Sequence, residues 1–548
     1  MSAQSIVPEN VDPFAYWPDT SSPTENFLHL SPPPKYDDSL PCRKLRIVYV
    51  GAGIGGISFV LMARYRLKNV DWVVYEKNST FGGTWWENKY PGCRCDVPSH
   101  YYSFRFMPND WVNGYATSDE IQDYISQVVR KFNVEKDITF NATVLSATWI
   151  DERSQWFIKT DVGGVVKEEY ADVFVNNQGF LNRPKMPDIE GVDSYAGKML
   201  HTARWDRSYD CAGKDIAIIG TGSSGLQVIT ALAPVVKKLT VYMRTPSWIS
   251  RYLVQEVLPE SERTKYRDPV FYRSYWKRAW IGGEKAWDSK WQNSETQLKF
   301  QELVKRRLDS MVKDPVLKEK LTPKYAFGCR RVTPSGDARG FYYAVQLPHV
   351  EIVTSPIDRI TPEGVVSVGT LRKSEALILA TGFENTFIPH IQITGLANTT
   401  IQEKWKSGIA KGYKSIAVSG FPNYFHVMSV NSTASANSIH IHLEQAINYV
   451  LQIVVFLQQH SEVRYVHPRQ DVQDKWNEEA QETLARTVWG PNQNCNGWYR
   501  RVDPTTGKLV VTAHWPGPGN SYQDALFKPD FSEYHVVKSD SVSGIARL

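Results

Sequence analysis

Residues Lys44–Lys77 read KLRIVYVGAGIGGISFVLMARYRLKNVDWVVYEK. The run LRIVYV is apolar enough for a strand buried on both faces, ISFVLMARYR has the length of a helix, and VDWVVY is a second strand. Between the first strand and the helix, Gly51, Gly53 and Gly56 form G-x-G-x-x-G. Such glycines give a tight turn, let a pyrophosphate approach the backbone and allow close helix packing. The helix N-terminus then turns its positive dipole end toward the phosphates. Glu76 ends the second strand, twenty residues past Gly56, where a carboxylate accepts hydrogen bonds from a ribose 2′-hydroxyl. An acid there suits FAD or NAD and repels a 2′-phosphate.

The same logic returns at Lys214–Thr245, KDIAIIGTGSSGLQVITALAPVVKKLTVYMRT. Gly220, Gly222 and Gly225 repeat the spacing, and Thr221, Ser223 and Ser224 fill the turn. Its second strand ends in Arg244, nineteen residues past Gly225. A base in place of the acid suits a 2′-phosphate, so this site is predicted to take NADPH, with Thr245 adding a hydroxyl. Two such units predict an α/β fold with two Rossmann-like dinucleotide-binding domains, one for FAD and one for NADP. A flavin reduced by NADPH is the economical conclusion.

The 548 residues are too many for one ordinary core. Residues 1–43, rich in Pro, Ser and Asp, read as an N-terminal arm. The FAD-binding domain is expected over 44–183 and again over 379–548, whose end forms a substrate-lining tail. The NADP-binding domain is expected over 184–250 and 328–378, with a helical insertion at 251–327. In that insertion Trp276, Trp280, Trp287 and Trp291 form a buried stripe, and Gly282-Gly283 is expected to break it into two short helices. Ile447–Leu457, INYVLQIVVFL, reads as a buried helix rather than a membrane span.

A net charge of +5, from 63 basic and 58 acidic residues, is too mild to argue for nucleic acid. Eighteen Trp and 28 Tyr suit aromatic-lined pockets. Six cysteines do not make a disulfide framework, and the first residues lack the pattern of a signal peptide. A soluble protein of the reducing cytoplasm is expected, with no transmembrane segment and no evident protein partner.

The stretch GGTWWENKYPGCRCD, Gly82–Asp96, begins five residues after Lys77 and so lies beside the flavin. Gly82 and Gly83 permit bare backbone against an isoalloxazine ring, Trp85 and Trp86 supply walls, and Asp96 brings a carboxylate. This stretch is similar to the long fingerprint of type I Baeyer–Villiger monooxygenases. Tyr195–Asp206, YAGKMLHTARWD, resembles that family's second fingerprint through Gly197, His201, Trp205 and Asp206, with Tyr195 in place of the usual Phe. Ala380–Phe383, ATGF, is similar to the segment where the chain re-enters the FAD domain. Phe327–Gly336, FGCRRVTPSG, resembles fungal secondary-metabolism members, as do Ser419–Val427 and Cys495–Arg501.

The resemblance implies Arg331 as the active-site arginine, oriented by Asp96, and Arg330 near the NADP phosphate. It implies Gly83, Thr84, Trp85, Asp96 and Tyr102 at the FAD. His201 and Trp205 sit in a connector and are assigned a conformational role. The activity implied is oxygen insertion next to a ketone carbonyl, with O2 as co-substrate, giving an ester or lactone. The substrate class implied is a bulky polyketide or terpenoid intermediate of a fungal pathway. A flavin N- or S-oxygenase or hydroxylase using a hydroperoxyflavin stays open, as does a non-oxygenating flavoprotein. Cys93 and Cys95 lack a second ligand pair, so no metal is expected. His440 and His442 read as helix-start or core residues.

Overall fold

A computed structural model describes residues 11–15, 26–251, 257–335, 340–433, 437–491 and 495–539. Parts of the N-terminal arm and of the loops following Ser335 and Thr433 lie outside them.

The fold is α/β and is organised by two five-stranded parallel sheets. The first has the order Tyr424–His426, Val173–Asn176, Leu45–Val50, Val70–Tyr75, Ile138–Thr139. The second has the order Val350–Val353, Lys238–Tyr242, Asp215–Ile219, Ala376–Leu379, Lys198–His201. Parallel strands need cover on both faces, which explains their apolar runs. On the first sheet the helix Ile54–Arg66 provides it: every residue from Ile54 to Ala63 is buried. It packs in turn on the helix Ile439–Gln459, which includes the apolar run expected to be internal. Among the described residues no helix is long and apolar enough to cross a membrane.

The arm is fastened to the body where it is described. Ser31 N donates to Gln445 Oε1 at 3.0 Å, Asn448 Nδ2 donates to Ser31 Oγ at 2.7 Å, and Arg66 meets Asp12 at 2.7 Å.

The insertion is helical, with one correction. Pro269–Ala286 is a single helix that runs through Gly282 and Gly283. Asp268 caps its first turn and Pro269 occupies N1, both strong start signals. Each glycine in a helix interior costs only about 1 kcal/mol against Ala, and Trp276 and Trp280, wholly buried, offset it. The stripe also divides between two cores. Trp276 and Trp280 pack with Tyr101, Tyr272 and Ile441, whereas Trp287 and Trp291 join the cluster of Trp489.

Candidate active site

The first glycine turn is shaped by contacts that tolerate no side chain. A Cβ on Gly56 would lie 2.1 Å from Gly51 O, so the helix can sit against the strand end only with glycine there. Gly53 is the helix N-cap and has no side-chain cap bond, which leaves the first N–H groups facing outward. Glu76 is 4% exposed; its Oε2 accepts from Ala52 N at 2.8 Å and its Oε1 from Asn78 N at 2.9 Å. Burial raises this carboxyl above its ordinary range, and the two backbone donors oppose that. The carboxylate therefore sits at the turn where a ribose would lie.

Gly82 and Gly83 close over the same turn. Gly82 has φ +117°, which only glycine adopts readily, and a Cβ on Gly83 would lie 3.1 Å from Gly53 Cα. Thr84 and Trp85 begin the short helix Thr84–Glu87. Trp85 Nε1 donates to Tyr102 OH at 3.0 Å, with the rings edge to face at 5.5 Å. Trp86, expected as a second wall, is instead 40% exposed.

The second turn repeats the packing. A Cβ on Gly225 would lie 2.3 Å from Gly220 O, whereas one on Gly222 would meet nothing within 4 Å. Gly222 caps the helix Ser223–Leu232 without a side-chain bond. Helix-start N–H groups without a side-chain cap are the cradle a diphosphate needs, so both turns fit the nucleotides expected of them. Thr245 O accepts from Thr221 Oγ1 at 3.2 Å and from Arg330 Nη1 at 3.3 Å. Thr333 Oγ1 donates to Ser223 Oγ at 2.9 Å. These bonds bring the turn, the strand end beside Arg244 and the Arg330 loop together. Arg244 is exposed and makes no polar contact among the described residues.

The Gly82–Asp96 stretch ties the two halves. Its start lies on the first turn. Its middle lies on the helix Ser223–Leu232: a Cβ on Gly92 would be 2.7 Å from Gln227 O, and Tyr90 OH donates to Gln227 Oε1 at 2.9 Å. Gln227 Nε2 donates to Arg94 O at 3.1 Å. Its end is Asp96, which accepts from Arg331 in a fork: Nη2 on Oδ1 at 2.6 Å, and Nε on Oδ2. The Asp96 charge holds the guanidinium protonated, well above its usual range, against the opposing effect of burial. The Arg331 side chain is 47% accessible, so the guanidinium stays open to a ligand while Asp96 holds it.

His201 ends its strand and stands apart from this pair. Ala203 N donates to its Nδ1 at 3.0 Å, Thr381 Oγ1 lies 3.3 Å from its Nε2, and burial lowers its basicity. Trp205 lines a cleft of about 500 Å³ with Lys89, Tyr90, Cys93 and Tyr209. Cys93 is buried and its thiol is pushed up to about 11, which leaves it inert. His440 and His442 are buried at the start of their helix, as expected. Among the described residues no His/Cys/Asp/Glu group is placed to hold a metal.

Three features escaped the sequence reading. Cys329, two residues before Arg331, forms a disulfide with Cys495, 166 residues away. Tyr499 is buried beside the Arg331–Asp96 pair. Gln227 clamps the linking stretch. All three depend on long-range proximity, which spacing does not reveal; Gln227 by itself looks like an ordinary polar residue of a helix.

The family description "Flavin-binding monooxygenase-like" matches residues 44–321. A Baeyer–Villiger monooxygenase of Streptomyces coelicolor is 32% identical over 90% of this chain and 93% of the relative. An FAD-binding monooxygenase of Aspergillus terreus is 34% identical over 87% of this chain and 86% of the relative. In structure, the chain resembles cyclohexanone monooxygenase from Rhodococcus sp. Phi1 bound to NADP+, with TM-score 0.78 and 24% identity, over 91% of this chain and 100% of the other.

Proposed function

The chain belongs to the flavin-binding monooxygenase-like family, among its Baeyer–Villiger monooxygenases, and on that premise we propose that it converts a bulky ketone into an ester or lactone. One atom of O2 enters beside the carbonyl, the other leaves as water, and NADPH is oxidised. Bound FAD and NADPH supply the electrons and the activation of O2.

The chain's own residues do the rest. The uncapped helix ends at Gly53 and Gly222 hold the two diphosphates, and Glu76 orients a ribose. Arg244 and Arg330 provide the positive charge for a 2′-phosphate, which is the basis for preferring NADPH to NADH. Arg331 stabilises negative charge that develops on the ketone oxygen as its carbon becomes tetrahedral. Preorganised cations aimed at such charge are a large part of catalysis. Asp96 fixes the guanidinium in place, and Trp85 with Tyr102 walls the flavin side. His201 and Trp205 couple movement of the two halves. Support for the division into 44–183 with 379–548, and 184–250 with 328–378, comes from the strands that each sheet draws together. The polyketide or terpenoid class remains the proposed substrate, supported by the aromatic walls around Tyr499.

The observation that carries this reading is the Arg331–Asp96 fork, which links the stretch beside the first nucleotide turn to the loop beside the second. The test is Arg331→Ala. NADPH should still reduce the flavin, while ester formation falls by about a hundredfold or more. Ester formation at the unaltered rate would overturn the role and favour an oxygenase that needs no cation beside its substrate.

A further inference from the structure

Arg331 lies in a loop, residues 322–332, that contains no helix or strand. Regular backbone hydrogen bonding therefore does not fix it, and its aim depends on what grips the loop from outside. After Arg331 the anchor is a strand: Thr333–Ser335 pairs with Ile249–Arg251, and Thr333 Oγ1 donates to Ser223 Oγ at 2.9 Å. Before Arg331 the non-covalent grips are single hydrogen bonds. Phe327 N donates to Gln301 Oε1 at 2.9 Å, Gly328 O accepts from Trp489 Nε1 at 3.1 Å, and Arg330 Nη1 reaches Thr245 O at 3.3 Å. The covalent anchor is Cys329, bonded to Cys495. The two residues from Cys329 to Arg331 span at most about 7 Å, so whatever fixes Cys329 confines the Arg331 backbone.

The segment at the other end of the link is itself well held. Arg500 donates to three carbonyls, those of Trp489 and Gly490 at 3.0 and 2.6 Å from Nη1, and that of Cys495 from Nη2. Arg500 also begins the strand Arg500–Val502, which pairs with Leu509–Val511. Gln481, on the helix Gln470–Ala485, clasps that hairpin: it accepts from Val511 N and donates to Val511 O, each at 2.9 Å. Gly497 lets the two segments touch. A Cβ there would lie 3.1 Å from Cys329 O and 3.6 Å from Arg330 Cγ. Cys329 and Cys495 are both buried, so a thiolate does not reach the bond to exchange with it while the chain is folded.

We infer that Cys329 and Cys495 are positioning residues for the reaction: their link holds the Arg331 loop against the C-terminal segment so that the guanidinium stays in its fork with Asp96. This rests on the role proposed for Arg331 above. The sulfurs touch no reacting atom and act only through the arginine. Arg331 sits on a short bridge clamped at both ends, by the link at Cys329 and by the strand at Thr333. Opening the link leaves one end clamped, and the bridge can swing about Thr333. The fork would then spend part of its time broken in a chain that is otherwise folded. Aim and stability are thus separable, because a link that only stabilised the fold would leave Arg331 unaltered in the folded state.

The test uses the full-length, FAD-loaded protein, isotopically labelled at its arginine nitrogens for NMR. The Nε–H signal of Arg331 is identified by its loss in Arg331→Lys. In the unaltered protein this proton should exchange slowly with water, because Asp96 holds it. In the double variant Cys329→Ala/Cys495→Ala the exchange should quicken by about tenfold or more. In the same variant kcat for ester formation should fall by about tenfold or more, with KM for NADPH within about twofold of the unaltered value. Arg500→Lys keeps the link and the charge but loses the grip on the three carbonyls, and it should show both changes to a smaller degree. It carries the test if the double variant fails to load flavin, and an unchanged Arg331 signal in it would then overturn the proposal. A double variant that melts earlier yet keeps either the slow signal or the full kcat would overturn it too, leaving the link a role in stability alone. So would six reactive thiols in the denatured, unreduced protein, or fast exchange at Arg331 in the unaltered chain. Ester formation is scored separately: its absence with every ketone counts against the oxygenase reading, while the Arg331 signal still decides whether the link aims the arginine.

Discussion

Arg331 and Asp96 act as one unit, because the carboxylate both orients the guanidinium and keeps it charged. Arg331 therefore contributes no titration to the pH profile of ester formation at any working pH. Asp96→Asn keeps the volume and removes the charge, leaving the fork free to turn. A displacement of about 1 Å at a reacting centre can cost about a hundredfold, and a loss of that order is expected in ester formation, with NADPH oxidation affected less. Parallel assays of ester and NADPH decide it; an unaltered ester rate would show that Arg331 needs no orienting carboxylate. Arg244 lies at the other end of the nucleotide, exposed and without a polar contact among the described residues. Arg244→Ala should raise KM for NADPH by about tenfold or more, the worth of a charge-assisted bond, and leave KM for NADH nearly as it was. Steady-state kinetics with both coenzymes check this, and a KM ratio that does not move would remove Arg244 from the 2′-phosphate site.

Among the elements, the strand–turn–helix units are the least tolerant of change. Gly56→Ala would put a methyl 2.1 Å from Gly51 O, a backbone atom that cannot swing aside. The helix would have to back away from the strand, so the purified variant should carry little flavin. The flavin-to-protein absorbance ratio measures it, and normal loading would show that the turn can relax. The loop bearing Arg331 depends on a different device. Cys329–Cys495 joins it to the segment that carries Trp498 and Tyr499. Six cysteines with Cys42, Cys93, Cys95 and Cys211 free predict four reactive thiols in the denatured chain before reduction and six after it. Cys495→Ser should lower stability by about 2–5 kcal/mol, the usual loss for such a link. Six thiols without reductant would show the pair open.

At the scale of the molecule, the sequence makes plain what depends on local geometry. Glycine spacing with the residue that ends each second strand identifies both nucleotide turns, and Trp276 and Trp280 announce a buried face. Gly282-Gly283 misleads because glycine is a weak helix breaker when burial on either side outweighs it. Cys329–Cys495 and the Tyr499 wall are invisible because contacts between residues far apart in sequence leave no trace in spacing. Gln227 belongs to the same class, and it has the widest consequence. Through Tyr90 OH and Arg94 O it binds the linking stretch to the second half, and that stretch ends in Asp96, whose partner Arg331 sits beside the second turn. The fork can stay aimed only while the two halves hold their spacing. Gln227→Ala should leave flavin content intact and loosen that spacing. Arg331 would then spend more time misaligned, and NADPH oxidation would run ahead of ester formation. The yield of ester per NADPH consumed should fall severalfold, with hydrogen peroxide making up the difference. A yield equal to that of the unaltered protein would mean that the fork alone holds the halves in register and that the Gln227 bonds only pack the helix.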